Sequence, residues 1–91
     1  MERKCFLCGR NGICDPLDRH HIFGGANRPI SEKYGLVVYL CRYRCHTGGR
    51  GAVHNNAQTM QFMHEYGQKK WMEENNGTIE DFIKIFGRNY L

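Results

Sequence analysis

Hydrophobic and polar positions follow a strand-like pattern in the first half of the chain. Leu17 to Phe23 follows the turn-forming pair Asp15-Pro16 and ends at a glycine pair, so it is predicted to be a short strand. Gly35 to Leu40 is rich in β-branched and aromatic residues, which favour a second strand that can pair antiparallel with the first. The stretch between them, Ala26 to Tyr34, has no apolar period, so it is predicted to be a loop of the kind that often carries function.

The pattern changes to a helical period from Ala52 onward, where apolar residues recur at intervals of three and four. The stripe consists of Met60, Met63, Gly67 and Trp71, widened by Phe62 and Tyr66. This period predicts one long helix that ends at the turn-forming pair Asn76-Gly77. His64 stands alone in that helix and is interpreted as a structural residue.

A last short helix is predicted after this turn. Thr78 is a good N-cap, and Asp81 lies three residues on, where an acidic side chain favours the first turn. Gly87 is placed to end the helix. Its apolar face is formed by Ile79, Phe82, Ile83 and Phe86.

Composition places the chain among ordinary globular proteins, with 91 residues, 41% hydrophobic and 24% charged. That length suits one domain. Leu36 to Leu40 is the longest apolar stretch, far short of the roughly 20 residues that cross a bilayer, and no apolar signal core follows the charged start. A cytoplasmic protein without membrane contact is expected. The net charge of +4 supports a phosphate-rich partner only weakly.

The cysteines form two tight clusters, Cys5-x-x-Cys8 and Cys41-x-x-x-Cys45. Four thiolates are the complete tetrahedral shell of a structural zinc, and an odd total of five cysteines argues against a disulfide framework. Cys14 is a spare thiol that can replace Cys45 in this shell. The second strand would bring one cluster to the other.

Four of the five histidines lie near these cysteines, which indicates a second metal site. His20 and His21 follow Asp18 at the end of the first strand, and His46 and His54 flank a glycine-rich segment. Neutral imidazoles leave a divalent cation with open positions and nearly its full charge, so it can bind a phosphate oxygen. A histidine that is not coordinated can take the proton from an attacking water.

Together these segments resemble the HNH endonuclease superfamily, in particular its small phage-type members with a zinc knuckle. The similarity spans residues 5–56 and is carried by Cys5 to Cys8, Asp18 to Gly25, Tyr34 to Leu36, Leu40-Cys41, Cys45-His46 and Val53 to Asn55. It implies an α+β fold: a small zinc-stapled ββα-metal core over residues 5–56, followed by a C-terminal helical brace over residues 57–91. Residues 1–91 would form a single nuclease domain.

The resemblance also implies roles for individual residues. His20, His46 and His54 would hold one catalytic divalent metal, either Mg, Mn, Ni or Zn, and His21 would be the general base. The four cysteines would hold the structural zinc, although His46 can take the zinc position of Cys45. Gly35-Leu36 occupies the usual place of the family's middle asparagine, so Asn27 or Asn55 is the candidate for that orienting role.

The expected function is hydrolysis of phosphodiester bonds in double-stranded or branched DNA, in the cytoplasm of the host cell if a phage encodes the chain. Five basic side chains flank the predicted site and are candidates to bind DNA phosphates: Arg28, Lys33, Arg42, Arg44 and Arg50. The alternative is a non-catalytic zinc module that binds nucleic acid or a protein partner. The oligomeric state is left open, since no heptad pattern is visible.

Overall fold

A two-stranded sheet and three helices form the mixed α/β, ββα-like fold. The computed structural model describes residues 3–9, 11–12, 15–46, 52–54 and 56–91. In chain order the elements are β1 (Leu17–His21), a 3-10 turn (Gly25–Asn27), α1 (Arg28–Lys33), β2 (Val37–Cys41), a π-helical turn (Arg42–His46), α2 (Ala57–Asn75) and α3 (Ile79–Phe86). Neither α2 nor any other described helix has the length and apolarity to traverse a bilayer.

The two predicted strands are confirmed, and they pair antiparallel. Arg42 N donates to Pro16 O at 2.8 Å at one end of the ladder, and Ile22 N donates to Leu36 O at 3.0 Å at the other. The residue numbers of both pairs have the same sum, which defines an antiparallel register with Leu17 opposite Cys41. This register delivers the second cysteine cluster at the end of β2.

The segment predicted as a loop instead contains α1, so that prediction is wrong. Pro29 lies in the first turn, where its fixed φ favours a helix and its missing N–H costs nothing. The Ser31 hydroxyl is fully buried, accepts from Phe23 N at 3.2 Å and donates to Leu36 O at 2.6 Å. These hydrogen bonds come from outside the helix, and the six-residue helix is too short to show an apolar period.

The two later helices lie where the sequence predicts them. Asn56 Oδ1 accepts from Thr59 N at 3.0 Å at the start of α2, and Asn76, with φ of 50°, directly follows its end. A full capping box joins Thr78 and Asp81 at the start of α3, and Gly87 ends it with φ of 93°. Three of these four helix ends therefore lie where local sequence predicts them, through a capping box at one and positive φ angles at two, while α2 begins at Ala57 rather than Ala52.

The chain divides into two compact units, each with its own core. The first comprises Met1–His20 and Val37–Met60, and the second His21–Leu36 and Gln61–Leu91. Buried apolar side chains of the first unit include Val38, Leu40, Ala52 and Val53, together with Cys5, Cys41 and Cys45. Those of the second unit are mainly aromatic and branched: Ile22, Phe23, Leu36, Met63, Trp71, Phe82 and Phe86.

The predicted apolar stripe of α2 is only partly buried. Met63, Gly67 and Trp71 are buried as expected, whereas Phe62 is 51% exposed. Gln68 is buried in addition, because its amide accepts from Tyr90 N at 2.7 Å and donates to Asn89 Oδ1 at 2.7 Å. Hydrogen bonds to the C-terminal residues thus make a polar position part of the second core.

The apolar face predicted for α3 is likewise divided by its packing. Phe82 and Phe86 are buried, and their rings stack with centroids 4.4 Å apart. Ile79 and Ile83 are 38% and 39% exposed. A short helix that packs by one narrow stripe leaves the edges of its apolar face in contact with solvent.

Replacing Gly67 with alanine should destabilise the second unit, although alanine normally favours a helix. A Cβ at this position would overlap Cγ2 of Ile22 and lie 2.9 Å from Cε2 of Phe23, both buried. Overpacking of this kind costs about 1–3 kcal/mol, more than the roughly 1 kcal/mol of helix propensity gained. Thermal and denaturant unfolding measure the change. Gly24→Ala is the matched control, since a Cβ there meets nothing within 4 Å, and an equal melting temperature for Gly67→Ala would contradict the packing argument.

Candidate metal centres

A tight turn positions the first pair of cysteines. Gly9 N donates to Cys5 O at 2.9 Å, and Gly9 has a φ of 78°, a conformation that glycine adopts without strain. Cys8 N points to Cys5 Sγ at 3.5 Å, so a backbone N–H faces the sulfur. Phe6 N donates to Tyr39 O at 2.8 Å, which attaches this turn to β2.

The four predicted zinc cysteines lie together in the first unit. Their Sγ atoms, from Cys5, Cys8, Cys41 and Cys45, are all within 4.8 Å of one another, and Cys8 Sγ is 3.5 Å from Cys41 Sγ. A tetrahedral zinc with Zn–S bonds of about 2.3 Å places its sulfur atoms about 3.8 Å apart, so the cluster has nearly the required size. Cys14, the alternative ligand, lies outside the described residues.

The chemistry of this cluster favours a bound cation. Burial raises the pKa of Cys41 to about 12, with the adjacent Cys8 and Cys5 adding to the effect, and the pKa of Cys45 is raised for the same reasons. Ionisation of Cys41 or Cys45 is disfavoured because the thiolate would lie in a poorly hydrated site beside other sulfur atoms. A divalent cation offsets that cost, so the four side chains can hold a structural metal such as zinc.

Three of the predicted metal-binding histidines also meet in the first unit. One ring nitrogen each from His20, His46 and His54 lies within 4.8 Å of the others, and the Nε2 atoms of His46 and His54 are 3.1 Å apart. Nitrogen ligands about 2.0–2.1 Å from one tetrahedral metal lie about 3.3 Å apart, close to this distance. Burial, and then His46, lower the pKa of His54, which favours the neutral form that binds metals.

The backbone connects the two groups. Cys45 and His46 are consecutive residues, and their carbonyls accept from Val53 N at 2.7 Å and from His54 N at 3.1 Å. The pair 45–46 and the pair 53–54 therefore run side by side, across the segment 47–51 that lies outside the described residues. Fixing Cys45 in a metal shell would also fix two of the three histidines.

The carboxylate of Asp18 contacts one of these histidines, His46. Its Oδ2 lies 3.2 Å from Nδ1 of His46, while Arg42 Nε and Nη2 each lie 3.0 Å from its Oδ1. The hydrogen bond from Arg42 is the largest cause of a lowered pKa for Asp18, and the one from His46 adds to it. An ionised Asp18 keeps the proton of His46 on Nδ1 and leaves Nε2 as the acceptor that faces His54.

Asp18 and a second acid, Asp15, were not predicted as site residues. Asp15 is 4% exposed, and its two carboxylate oxygens accept from Tyr43 N and Arg44 N, both at 3.0 Å. It therefore holds the π-helical turn that presents Cys45 and His46. The sequence contains a signal for Asp18, which lies two residues before His20. The role of Asp15 depends on its contact with Tyr43, which is 28 residues away in the sequence.

The predicted catalytic residues lie in different surroundings. His21 belongs to the second unit, where its Nε2 is 3.3 Å from Glu32 Oε2 and its side chain is 14% exposed. Asn27 donates from Nδ2 to Phe86 O at 2.8 Å, so this amide connects the start of α1 to the end of α3. Asn55 lies outside the described residues. The roles assigned to all three stay predictions.

The basic residues predicted to bind phosphates are exposed wherever they are described. Arg42 and Arg44 belong to the π-helical turn of the first unit, and Arg28 and Lys33 are the first and last residues of α1 in the second. Arg50 lies outside the described residues.

Comparison with protein-family profiles, with curated proteins and with solved structures gave no significant match to this chain.

Removing the metal from the cysteine cluster should unfold the first unit cooperatively. Structural zinc contributes about 10–16 kcal/mol in isolated zinc fingers, comparable to the whole stability of a small domain. Cys5→Ser should therefore lose the metal and the fold together, while Cys14→Ser should leave both nearly unchanged. Elemental analysis and thermal unfolding with and without a chelator measure this. Folded wild-type protein containing no zinc would refute the assignment.

The histidine group should bind a second metal independently of the first. His54→Ala should reduce the stoichiometry from two metals to one without changing the melting temperature much, because the cysteines remain. Asp18→Asn should weaken the second metal about 10- to 100-fold, since it removes the charge that orients His46. Calorimetric titration measures both, with His64→Gln as the control that keeps two metals. If His46→Ala instead lost the cysteine-bound metal and unfolded, His46 would belong to the zinc shell.

Proposed function

We propose that this protein is a metal-dependent endonuclease of the HNH type, which hydrolyses phosphodiester bonds in DNA. The proposal rests on one observation above all: three histidine nitrogens within 4.8 Å of one another, directly beside a four-cysteine cluster. A structural metal site needs only the cysteines. The additional histidine group has a donor set that suits a cation with open coordination positions.

The residues of the first unit would prepare the phosphate site. His20, His46 and His54 would hold a divalent cation, which supplies electrostatic stabilisation of a phosphate oxygen and of the leaving alkoxide. The Asp18 contact would favour the His46 tautomer that carries its proton on Nδ1. Because this carboxylate is itself bound by Arg42, it would orient the His46 ring before any substrate binds.

His21 would act as the general base. It directly follows the ligand His20 and is the last residue of β1. A neutral imidazole can accept the proton of the attacking water, and the nearby Glu32 carboxylate would stabilise the imidazolium that forms. Roles of this kind need an imidazole that is not coordinated, which distinguishes His21 from the other three.

Exposed arginines would bind the DNA backbone next to the site. The buried Asp15 carboxylate accepts hydrogen bonds from the backbone N–H groups of Tyr43 and Arg44. The Arg44 guanidinium is therefore presented from a fixed backbone two residues before His46. Phosphate contacts position a nucleic acid without reading its sequence.

Substitution of the base tests the proposal. His21→Ala should retain its fold, both metals and its affinity for DNA, while the cleavage rate falls by about two to four orders of magnitude. Plasmid nicking and cleavage of labelled oligonucleotides, with Mg, Mn, Ni or Zn added separately, measure the rate, and fluorescence anisotropy measures the affinity. His64→Gln is the control for loss of a histidine elsewhere and should cleave at nearly the normal rate.

Two outcomes would contradict the assignment. Normal cleavage by His21→Ala would remove the base from the mechanism. Tight DNA or protein binding by the wild-type chain with no cleavage under any metal would favour the non-catalytic zinc module, for which a free imidazole has no use.

A further inference from the structure

Tyr43 is an aromatic side chain for which the metal centres have no evident use. It lies in the π-helical turn between Arg42 and Arg44 and is 61% exposed, the highest value among the large apolar side chains of the described residues. An exposed aromatic ring by itself needs no explanation, because much of any protein surface is apolar. The hydrogen bonds that hold the backbone of Tyr43 do need an explanation.

The backbone of Tyr43 is fixed by a buried charge. The Asp15 carboxylate, 4% exposed, accepts from Tyr43 N through one oxygen and from Arg44 N through the other. Hydrogen bonds to an ionised acceptor are among the stronger ones in proteins. These two hydrogen bonds therefore fix the backbone from which the Tyr43 ring projects, although the side chain itself is exposed.

The neighbour of Tyr43 on one side is fixed as well. The Arg42 side chain donates to Asp18 at 3.0 Å, and Asp18 in turn binds His46, the proposed metal ligand. Two consecutive contacts thus connect Arg42 to the histidine group, all within the first unit, while Tyr43 itself remains 61% exposed.

An aromatic ring held in this way is suited to stack on another flat ring. The entropy of ordering its backbone has already been lost in the fold, so only the rotation of the Tyr43 side chain has to be ordered on binding. A single ring among charged residues is too small an apolar patch for a stable protein interface, which buries roughly 800 Å² on each partner. The neighbouring Arg44 instead favours an anionic ligand that carries aromatic rings, since the charge of Arg42 is already paired with Asp18.

We propose that Tyr43 is a base-stacking subsite, which receives an unstacked base of the nucleic acid while Arg44 binds an adjacent phosphate. Stacking on the ring requires a base whose face is accessible, and inside an intact duplex both faces are covered by neighbours. The preferred substrate class is therefore DNA with unpaired nucleotides: single strands, forks and branched ends. This inference deepens the proposed function and depends on it for the location of the scissile bond.

Binding measured without cleavage tests the subsite. In the zinc-loaded His21→Ala background, fluorescence anisotropy compares a single-stranded oligonucleotide, a fork and an intact duplex of the same sequence at one salt concentration. Tyr43→Ala should raise Kd for the single strand and the fork about tenfold, within a range of about 5- to 150-fold, and change Kd for the duplex less than about twofold. Tyr43→Phe, which keeps the ring, should stay within about threefold of the parent.

A spectroscopic measurement makes the stack itself visible. A 2-aminopurine placed in the unpaired strand should lose fluorescence when it stacks on Tyr43, and the quenching should disappear in Tyr43→Ala. The matched control is Phe62→Ala, which removes another exposed aromatic side chain and should alter neither Kd nor fluorescence. Zinc content and melting temperature of Tyr43→Ala should equal those of the parent, because the ring is exposed.

The outcomes separate the subsite from the nuclease. An equal loss of affinity for fork and duplex, or no loss for either, would overturn the base-stacking subsite, as would quenching that persists in Tyr43→Ala. Binding and quenching that depend on Tyr43, in a chain whose wild-type form cleaves nothing, would support the subsite and overturn the nuclease. Cleavage of forks in preference to duplex that is lost in Tyr43→Ala would support both.

Discussion

The convergence of four cysteine thiols is the constraint on which the first unit depends. Two of them come from a tight turn near the start of the chain, and two come from the end of β2 and the turn after it, more than 30 residues away. Burial raises the pKa of Cys41 to about 12 and also raises the pKa of Cys45, so their ionised forms are disfavoured without a cation. The four side chains can hold a structural metal such as zinc, and a small domain with a limited apolar core would gain stability from it.

The position of the histidine group follows from this constraint through the backbone. Cys45 is directly followed by His46, and both carbonyls accept hydrogen bonds from the segment that carries His54. A structural site can therefore orient the neighbouring site without sharing any ligand with it. Two carboxylates complete the arrangement, since Asp15 holds the turn and Asp18 holds the His46 ring. The two groups share no side chain, so each can hold an ion of its own.

The second unit is stabilised by different means. Aromatic packing joins Phe23 to Phe82 and Phe86, and all three side chains are buried. Polar contacts then fix particular segments: Ser31 joins α1 to the backbone on either side of it, and Gln68 binds the C-terminal residues. Each of these polar groups is buried and hydrogen-bonded, as the cost of an unsatisfied buried group requires.

The sequence alone determined the features that arise from local chemistry. Spacing identified the two cysteine pairs and the histidines, and the capping box at Thr78 and the glycine at position 87 defined α3. Flanking turn residues identified the first strand, and β-branched and aromatic residues identified the second. Tertiary structure decided the rest: that residues 28–33 form a helix, that Phe62 is exposed, and that Asp15 and Asp18 hold the metal-binding turn. Those features depend on partners far away in sequence. The composition of a short segment does not contain the contacts that decide its conformation or the direction of its side chains.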